Sequence, residues 1–112
     1  MGHLGELEQL ILFAVVALGD EAYGGAIRAH IEQRSGRVIS SGAITTTLSR
    51  LAERRLVTGR IGDPVPGRPG RPRKYYSLTP AGARELKKSY ATIRALAGGV
   101  VQRLDALAEG RR

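Results

Sequence analysis

Apolar residues recur along the chain in three rhythms, and each predicts an element. From Leu4 they come at helical spacing, at Leu7, Leu10, Ile11, Ala14, Val15 and Leu18, with Phe13, Val16 and Ala17 filling much of the remaining circumference. A helix over about 5–18 that is apolar nearly all round must be covered nearly all round. In so short a chain this predicts its own domain on one side and a second copy on the other. Gly19-Asp20 ends it. A second helix, about 23–34, carries Tyr23, Ile27 and Ile31 as a narrow stripe and stops at Ser35-Gly36, where glycine supplies the left-handed conformation. Gly24 and Gly25 weaken its first turn by about 1 kcal/mol each relative to Ala, so a close helix approach is expected there. A third helix, about 41–54, starts with Ser40 or Ser41 as N-cap. At 100° per residue Ile44, Leu48, Leu51 and Ala52 share one arc, while Gly42, Thr46, Ser49 and Glu53 lie opposite, flanked by Thr45 and Arg50.

Past Arg55 the rhythm changes to alternation. Residues 56–61 and 73–78 read as two strands, the second favoured by Tyr75-Tyr76. Between them the chain is rich in Gly and in Pro, and prolines cannot donate to a ladder, so 56–78 is expected to be a hairpin with an exposed, extended loop. Thr79-Pro80 then opens a last helix over 80–108, with Thr79 as N-cap and Pro80 at the first position. Its apolar residues Leu86, Tyr90, Ile93, Ala97, Val100, Leu104 and Leu107 advance in alternating steps of four and three, the seam of a coiled coil. Gly98-Gly99 interrupts this seam at roughly 1 kcal/mol each, against roughly 1.5–3 kcal/mol returned by each large seam residue buried. Burial is expected to win, leaving a bend or soft spot at the glycine pair.

In order, these elements predict a mainly α fold with a small β-hairpin. The domain over 1–79 is a winged helix-turn-helix, and 80–108 is a C-terminal dimerisation helix. The expected dimer contacts are Leu7, Leu10 and Ile11 on the first helix and Leu86, Tyr90, Ile93, Ala97, Val100, Leu104 and Leu107 on the last.

Composition sharpens the choice of partner. The 112 residues carry a net charge of +8 and a pI near 10.8, so the surface attracts polyanions, nucleic acid first. A membrane-binding helix would need a basic face beside bulky apolar residues, and no segment shows that pairing. The longest apolar run, Leu10 to Leu18, is about half of what a bilayer span needs. Cysteine is absent, which removes disulfides and thiolate metal sites. A cytoplasmic protein without membrane attachment is expected.

The third helix offers the chemistry. Ser and Thr hydroxyls exchange hydrogen bonds with base edges, the Thr methyl can touch a thymine methyl, and Arg grips guanine or phosphate. The face from Ser41 and Gly42 through Thr45, Thr46, Ser49 and Arg50 suits a major groove of double-stranded DNA. From Arg50 to Lys74 the basic residues Arg50, Arg54, Arg55, Arg60, Arg68, Arg71, Arg73 and Lys74 face only Glu53 and Asp63. Arg54, Arg55 and Arg60 are expected to hold phosphates at the groove edge, and Arg68 or Arg71 to enter the adjacent minor groove. Gly67-Arg68-Pro69-Gly70-Arg71-Pro72 also resembles the Gly-Arg-Pro core of AT-hooks.

Catalysis is poorly supported. His3 and His30 have no partner at metal spacing, so no metal or cofactor is expected. Gly67 to Lys74 lacks the Gly-Lys-Ser/Thr ending of a phosphate-binding P-loop.

Over nearly its whole length the sequence resembles the PadR family of bacterial transcriptional regulators. The matching pieces are Leu10-Ile11-Leu12 through Tyr23-Gly24, Ser41-Gly42-Ala43-Ile44, Leu48-Ser49-Arg50-Leu51 and Arg54-Arg55-Leu56-Val57. The most specific block is Gly70-Arg71-Pro72-Arg73-Lys74-Tyr75-Tyr76-Ser77-Leu78-Thr79-Pro80-Ala81-Gly82, which joins wing exit to capped helix start. The resemblance implies a homodimeric repressor of a roughly palindromic operator, of the short branch with one C-terminal helix. Many members carry Tyr-Pro where this chain has Thr45-Thr46, so base specificity does not carry over. Some relatives line an effector pocket with tryptophans, and none is present here, so no effector follows. Two other readings remain: a sequence-tolerant architectural DNA-binding protein, and a protein-interaction adaptor.

Overall fold

A computed structural model describes residues 3–64, 66–67 and 70–110. Helix α1 (Glu6–Leu18) buries Ile11, Leu12, Ala14 and Val15 and leaves Phe13 and Val16 about half exposed. Its apolar circumference is therefore divided, one half forming core and the other open to solvent. Helix α2 (Gly24–Ser35) buries Ile27 and Ile31 and ends at Gly36, whose φ of 77° lets its N–H reach the Glu32 carbonyl at 2.8 Å. The link 36–40 is pinned by Arg28, whose Nε–H donates to the Ile39 carbonyl. Helix α3 (Ser41–Glu53) is capped by Ser40, whose hydroxyl accepts from the Ala43 N–H at 3.1 Å. The expected close helix approach at Gly24 and Gly25 is not found. A Cβ at Gly24 would meet nothing within 4 Å, and one at Gly25 would meet the Tyr23 ring at 3.1 Å.

The end of α3 sets up the hairpin. Leu56 N–H donates to the Leu51 carbonyl and Arg55 N–H to the Ala52 carbonyl, both at 2.9 Å, which is a Schellman closure. It requires a left-handed residue, and that residue is Arg55, with φ of 61°. Strands β1 (Val57–Ile61) and β2 (Lys74–Leu78) pair antiparallel, Val57 opposite Leu78 and Arg60 opposite Tyr75. Leu56 and Arg73, expected at the strand starts, precede them; Leu56 is spent on closing α3. The sheet also gains an edge absent from the sequence reading. Tyr76 N–H donates to the Ala22 carbonyl at 2.8 Å, and Tyr23 bridges Tyr75, so the chain between α1 and α2 lies along β2.

Helix α4 (Pro80–Ala97) starts as expected, with Thr79 Oγ1 accepting from the Gly82 N–H at 2.9 Å and Pro80 in the first turn. The same hydroxyl donates to the Arg55 carbonyl at 2.8 Å, which ties the helix start to the end of α3. The single helix expected over 80–108, with a bend or soft spot at the glycine pair, is instead two. Residues 98–100 leave the helix, Gly99 adopts a φ of 84°, and α5 (Val101–Ala108) follows. The glycine cost is not offset within one chain, where the flanking seam residues Ile93, Val100 and Leu104 stay about half exposed.

The core gathers α1, α2, α3, the hairpin root and the first turns of α4. Two residues expected at a dimer contact belong to it: Ile11 is 0% and Leu86 5% exposed. Their own chain already covers them, so they are core side chains rather than contact residues. Leu7 and Leu10 are partly buried against the same core. Beyond Leu86 the pattern reverses. Tyr90, Ile93, Leu96, Val100, Val101, Leu104 and Leu107 are 47–76% exposed along an arm that stretches the molecule to 60 Å. Among the described residues no helix is long and apolar enough to cross a membrane.

Candidate nucleic-acid interface

The interface begins with α3, whose buried residues Ile44, Leu48 and Leu51 fix which way its other face points. Ser41, Gly42, Thr45, Thr46, Ser49 and Arg50 are all exposed. Thr47 is the exception among the hydroxyls. It lies three residues after Ile44 and four before Leu51, and is buried on the core face. That placement was readable from the same periodicity that found the leucines.

The arginines divide by what holds them. Arg54 Nη1 donates to Glu8 Oε2 at 3.2 Å, while Glu8 Oε1 accepts from the Gly5 N–H at 2.7 Å, so the end of α3 is tied to the start of α1. Arg50 and Arg55 are exposed. Arg71 is exposed on the wing exit, and Arg68 lies outside the described residues. A basic amino acid in the left-handed conformation at Arg55 costs about 1–2 kcal/mol more than glycine, yet it puts a cation between α3 and the wing.

On the wing, alternation separates two faces. Lys74 lies on the core-side face, its Nζ 5.7 Å from the centre of the Tyr76 ring. Burial raises the Tyr76 phenol above its ordinary value. On the opposite face Arg60, Tyr75 and Tyr23 form a row across β1, β2 and the added edge. The Arg60 guanidinium sits 4.8 Å from the Tyr75 ring centre, and Arg73 sits 3.9 Å from that of Tyr23. The two rings meet edge to face at 5.7 Å. Arg60 also donates through Nη2 to the Asp20 carbonyl at 3.2 Å. Sequence reasoning took Tyr23 for a core stripe and Tyr75 for strand propensity. The two-residue spacing of Arg73 and Tyr75 was the signal that a cation and a ring share a face.

Elsewhere, Leu10, Phe13, Ala14 and Ala17 of α1 face His30, Ile31 and Arg34 of α2 across an apolar groove of about 400 Å³. Among the described residues no cluster of His, Cys, Asp and Glu could hold a metal ion.

The model of the PadR-like transcriptional regulator family matches residues 12–88, which here hold the helix-turn-helix, the hairpin and the capped start of α4. The chain belongs to that family. The match runs from α1 into α4 and stops short of the exposed arm. Among solved structures, the PadR family transcriptional regulator of Eggerthella lenta is 27% identical, with 86% of this chain and 81% of that one covered and a TM-score of 0.67. A PadR family transcription regulator of Clostridium difficile is 25% identical over 86% of this chain and 97% of the other, with a TM-score of 0.64. F93 from STIV, a winged-helix DNA-binding protein, shares the fold at 19% identity, covering 81% and 90%, with a TM-score of 0.66. No curated protein matches the chain. The protein is therefore a PadR-family transcriptional regulator with a winged-helix DNA-binding fold.

Proposed function

We propose that the chain works in the cytoplasm as a homodimer that reads a two-fold DNA site and represses transcription from it. The observation that carries this reading is the division of α3. Its apolar residues are locked in the core, and Thr45, Thr46, Ser49 and Arg50 stand free beside a cationic hairpin. In the major groove this face reads bases, with Ser41 and Gly42 at its entering end. Arg55, Arg60, Arg73 and Lys74 hold phosphates and set register, and Arg71 reaches the adjacent minor groove. Arg54 takes a smaller share, since Glu8 already engages it.

Self-association is supported by the exposed apolar residues of α4 and α5 and by the groove between α1 and α2, a ridge and a recess of matching chemistry. Leu104→Glu is expected to turn the dimer into a monomer in sedimentation experiments and to abolish tight DNA binding.

The test of the whole reading is selection of bound fragments from random duplex at about 0.15 M salt. The expected product is a two-fold sequence with half-sites about 34 Å apart. Equal recovery of any A·T-rich duplex would instead make this an architectural protein, and recovery of nothing would leave DNA out of its role.

A further inference from the structure

Two ion pairs occur among the described residues, Arg37 with Glu6 and Arg54 with Glu8, and both lie against α1. Among the described residues the guanidiniums on the outer wing face have no such partner. Among the described residues no carboxylate comes within ion-pair distance of Arg60 or Arg73, and Arg73 makes no hydrogen bond through its guanidinium. Arg73 lies over the Tyr23 ring and Arg60 over the Tyr75 ring, the two rings meet edge to face, and Arg60 is held further by its hydrogen bond to the Asp20 carbonyl. Stacking uses the face of a guanidinium and spares its in-plane N–H groups, those of Arg73 and, apart from the Nη2 donor to Asp20, those of Arg60, and these are the groups that fork onto a phosphate. It also restricts the rotamers of a long side chain before any ligand arrives, which lowers the entropy lost on binding. An uncompensated positive pair held rigid in this way is suited to an anion supplied from outside the chain.

We infer that Tyr23 and Tyr75 are positioning residues that hold Arg73 and Arg60 as a pre-ordered clamp for the DNA phosphate backbone. The inference rests on the DNA-binding reading above and deepens it. Neither tyrosine touches DNA in it; each acts through the arginine it carries. Tyr23 stands at the N-cap position of α2 and bridges β2, so the clamp is built where the helix-turn-helix and the wing join, and one backbone segment is gripped relative to both.

The test is a double-mutant cycle read as duplex affinity at fixed salt, with melting measured in parallel. Arg73→Ala alone is expected to weaken binding about tenfold on operator and random duplex alike. In a Tyr23→Leu background the same change is expected to cost about threefold or less, because the arginine is no longer held. Tyr23→Phe keeps the ring and is expected to bind as the wild type does. Equal losses from Arg73→Ala in both backgrounds, or a Tyr23→Phe variant as weak as Tyr23→Leu, would overturn the proposal. Should Tyr23→Leu fail to fold, Arg73→Lys decides. It keeps the charge and loses the flat stacking surface, and is expected to bind within about twofold of Arg73→Ala. Wild-type affinity in Arg73→Lys overturns the clamp and leaves DNA binding intact, whereas a wild type that binds no duplex removes both.

Discussion

Gly82→Ala isolates the contact on which the wing is seated. Gly82 is a buried residue in the first turn of α4, and its N–H is spent on the Thr79 cap. A Cβ built there lands on the Leu56 carbonyl oxygen, 2.8 Å from Leu78 Cδ1 and 3.0 Å from the Leu56 carbonyl carbon. The leucine methyl could turn aside, but the carbonyl cannot. It accepts the Thr79 N–H at 3.0 Å, and the Leu56 N–H closes α3 on the Leu51 carbonyl. Relief therefore requires α4 to lift from the hairpin root. Overpacking of this kind costs about 1–3 kcal/mol, and straining the Thr79 to Leu56 hydrogen bond adds about 1 kcal/mol. The better helix propensity of Ala returns at most about 1 kcal/mol. The net loss is about 1–3 kcal/mol, which in a chain of this size lowers the melting temperature by about 4–12 °C. Thermal denaturation followed by circular dichroism at fixed protein concentration reads this directly. Gly42→Ala is the control, since a Cβ there meets nothing within 4 Å, and its melting temperature is expected to hold or rise slightly. A Gly82→Ala protein that melts with or above the Gly42→Ala control would refute the steric reasoning.

Arg55→Gly relieves a left-handed residue of its Cβ and is expected to stabilise the fold by about 1 kcal/mol, while DNA affinity falls and its salt slope shrinks by about one per protomer. A lowered melting temperature, or unchanged salt dependence, would contradict one half of that statement. Tyr76→Phe tests a titration. Burial raises the folded phenol above the ordinary 10.0, so the unfolded chain releases its proton first. The stabilisation is full below about pH 10 and is lost as pH climbs through the folded value. The wild type is therefore expected to lose more melting temperature than Tyr76→Phe between about pH 9 and about pH 11, and equal losses would show that burial of the phenol has no such effect.

Local rules carried most of the fold. The Ser40 cap, the Gly36 stop and the Thr79-Pro80 start each depend on a few adjacent residues, and each appears where the sequence puts it. What local rules misjudged was where packing would be available. The glycine pair at 98–99 was expected to leave a bend or soft spot in one helix, because burial along the seam was weighed against two small costs. A single chain offers no partner surface there, and the helix breaks. Ile11 and Leu86 failed for the reverse reason. Helical spacing says that a residue must be covered but not by which body, and the domain's own core had already claimed both.

The interface was legible to the extent that it lies on one helix. Its apolar positions determine the outward face of α3, so the exposed hydroxyls and Arg50 follow from counting. The wing is different, because its chemistry depends on pairing between distant segments. Tyr23 meets Tyr75 only when the residues after α1 lie along β2, and nothing in the pattern around Ala22 announces a strand. A list of cations along 50–74 therefore overstates their equivalence. Lys74 and Arg73 are neighbours in sequence, yet strand alternation sends one toward the core-side ring and the other onto the outer row. Arg54 has the same formal charge and an acidic partner. Which cations remain available to a polyanion is decided by pairing partners that the linear sequence does not place, and so a uniform alanine scan of these arginines is expected to give unequal losses, largest where the guanidinium is held but not neutralised.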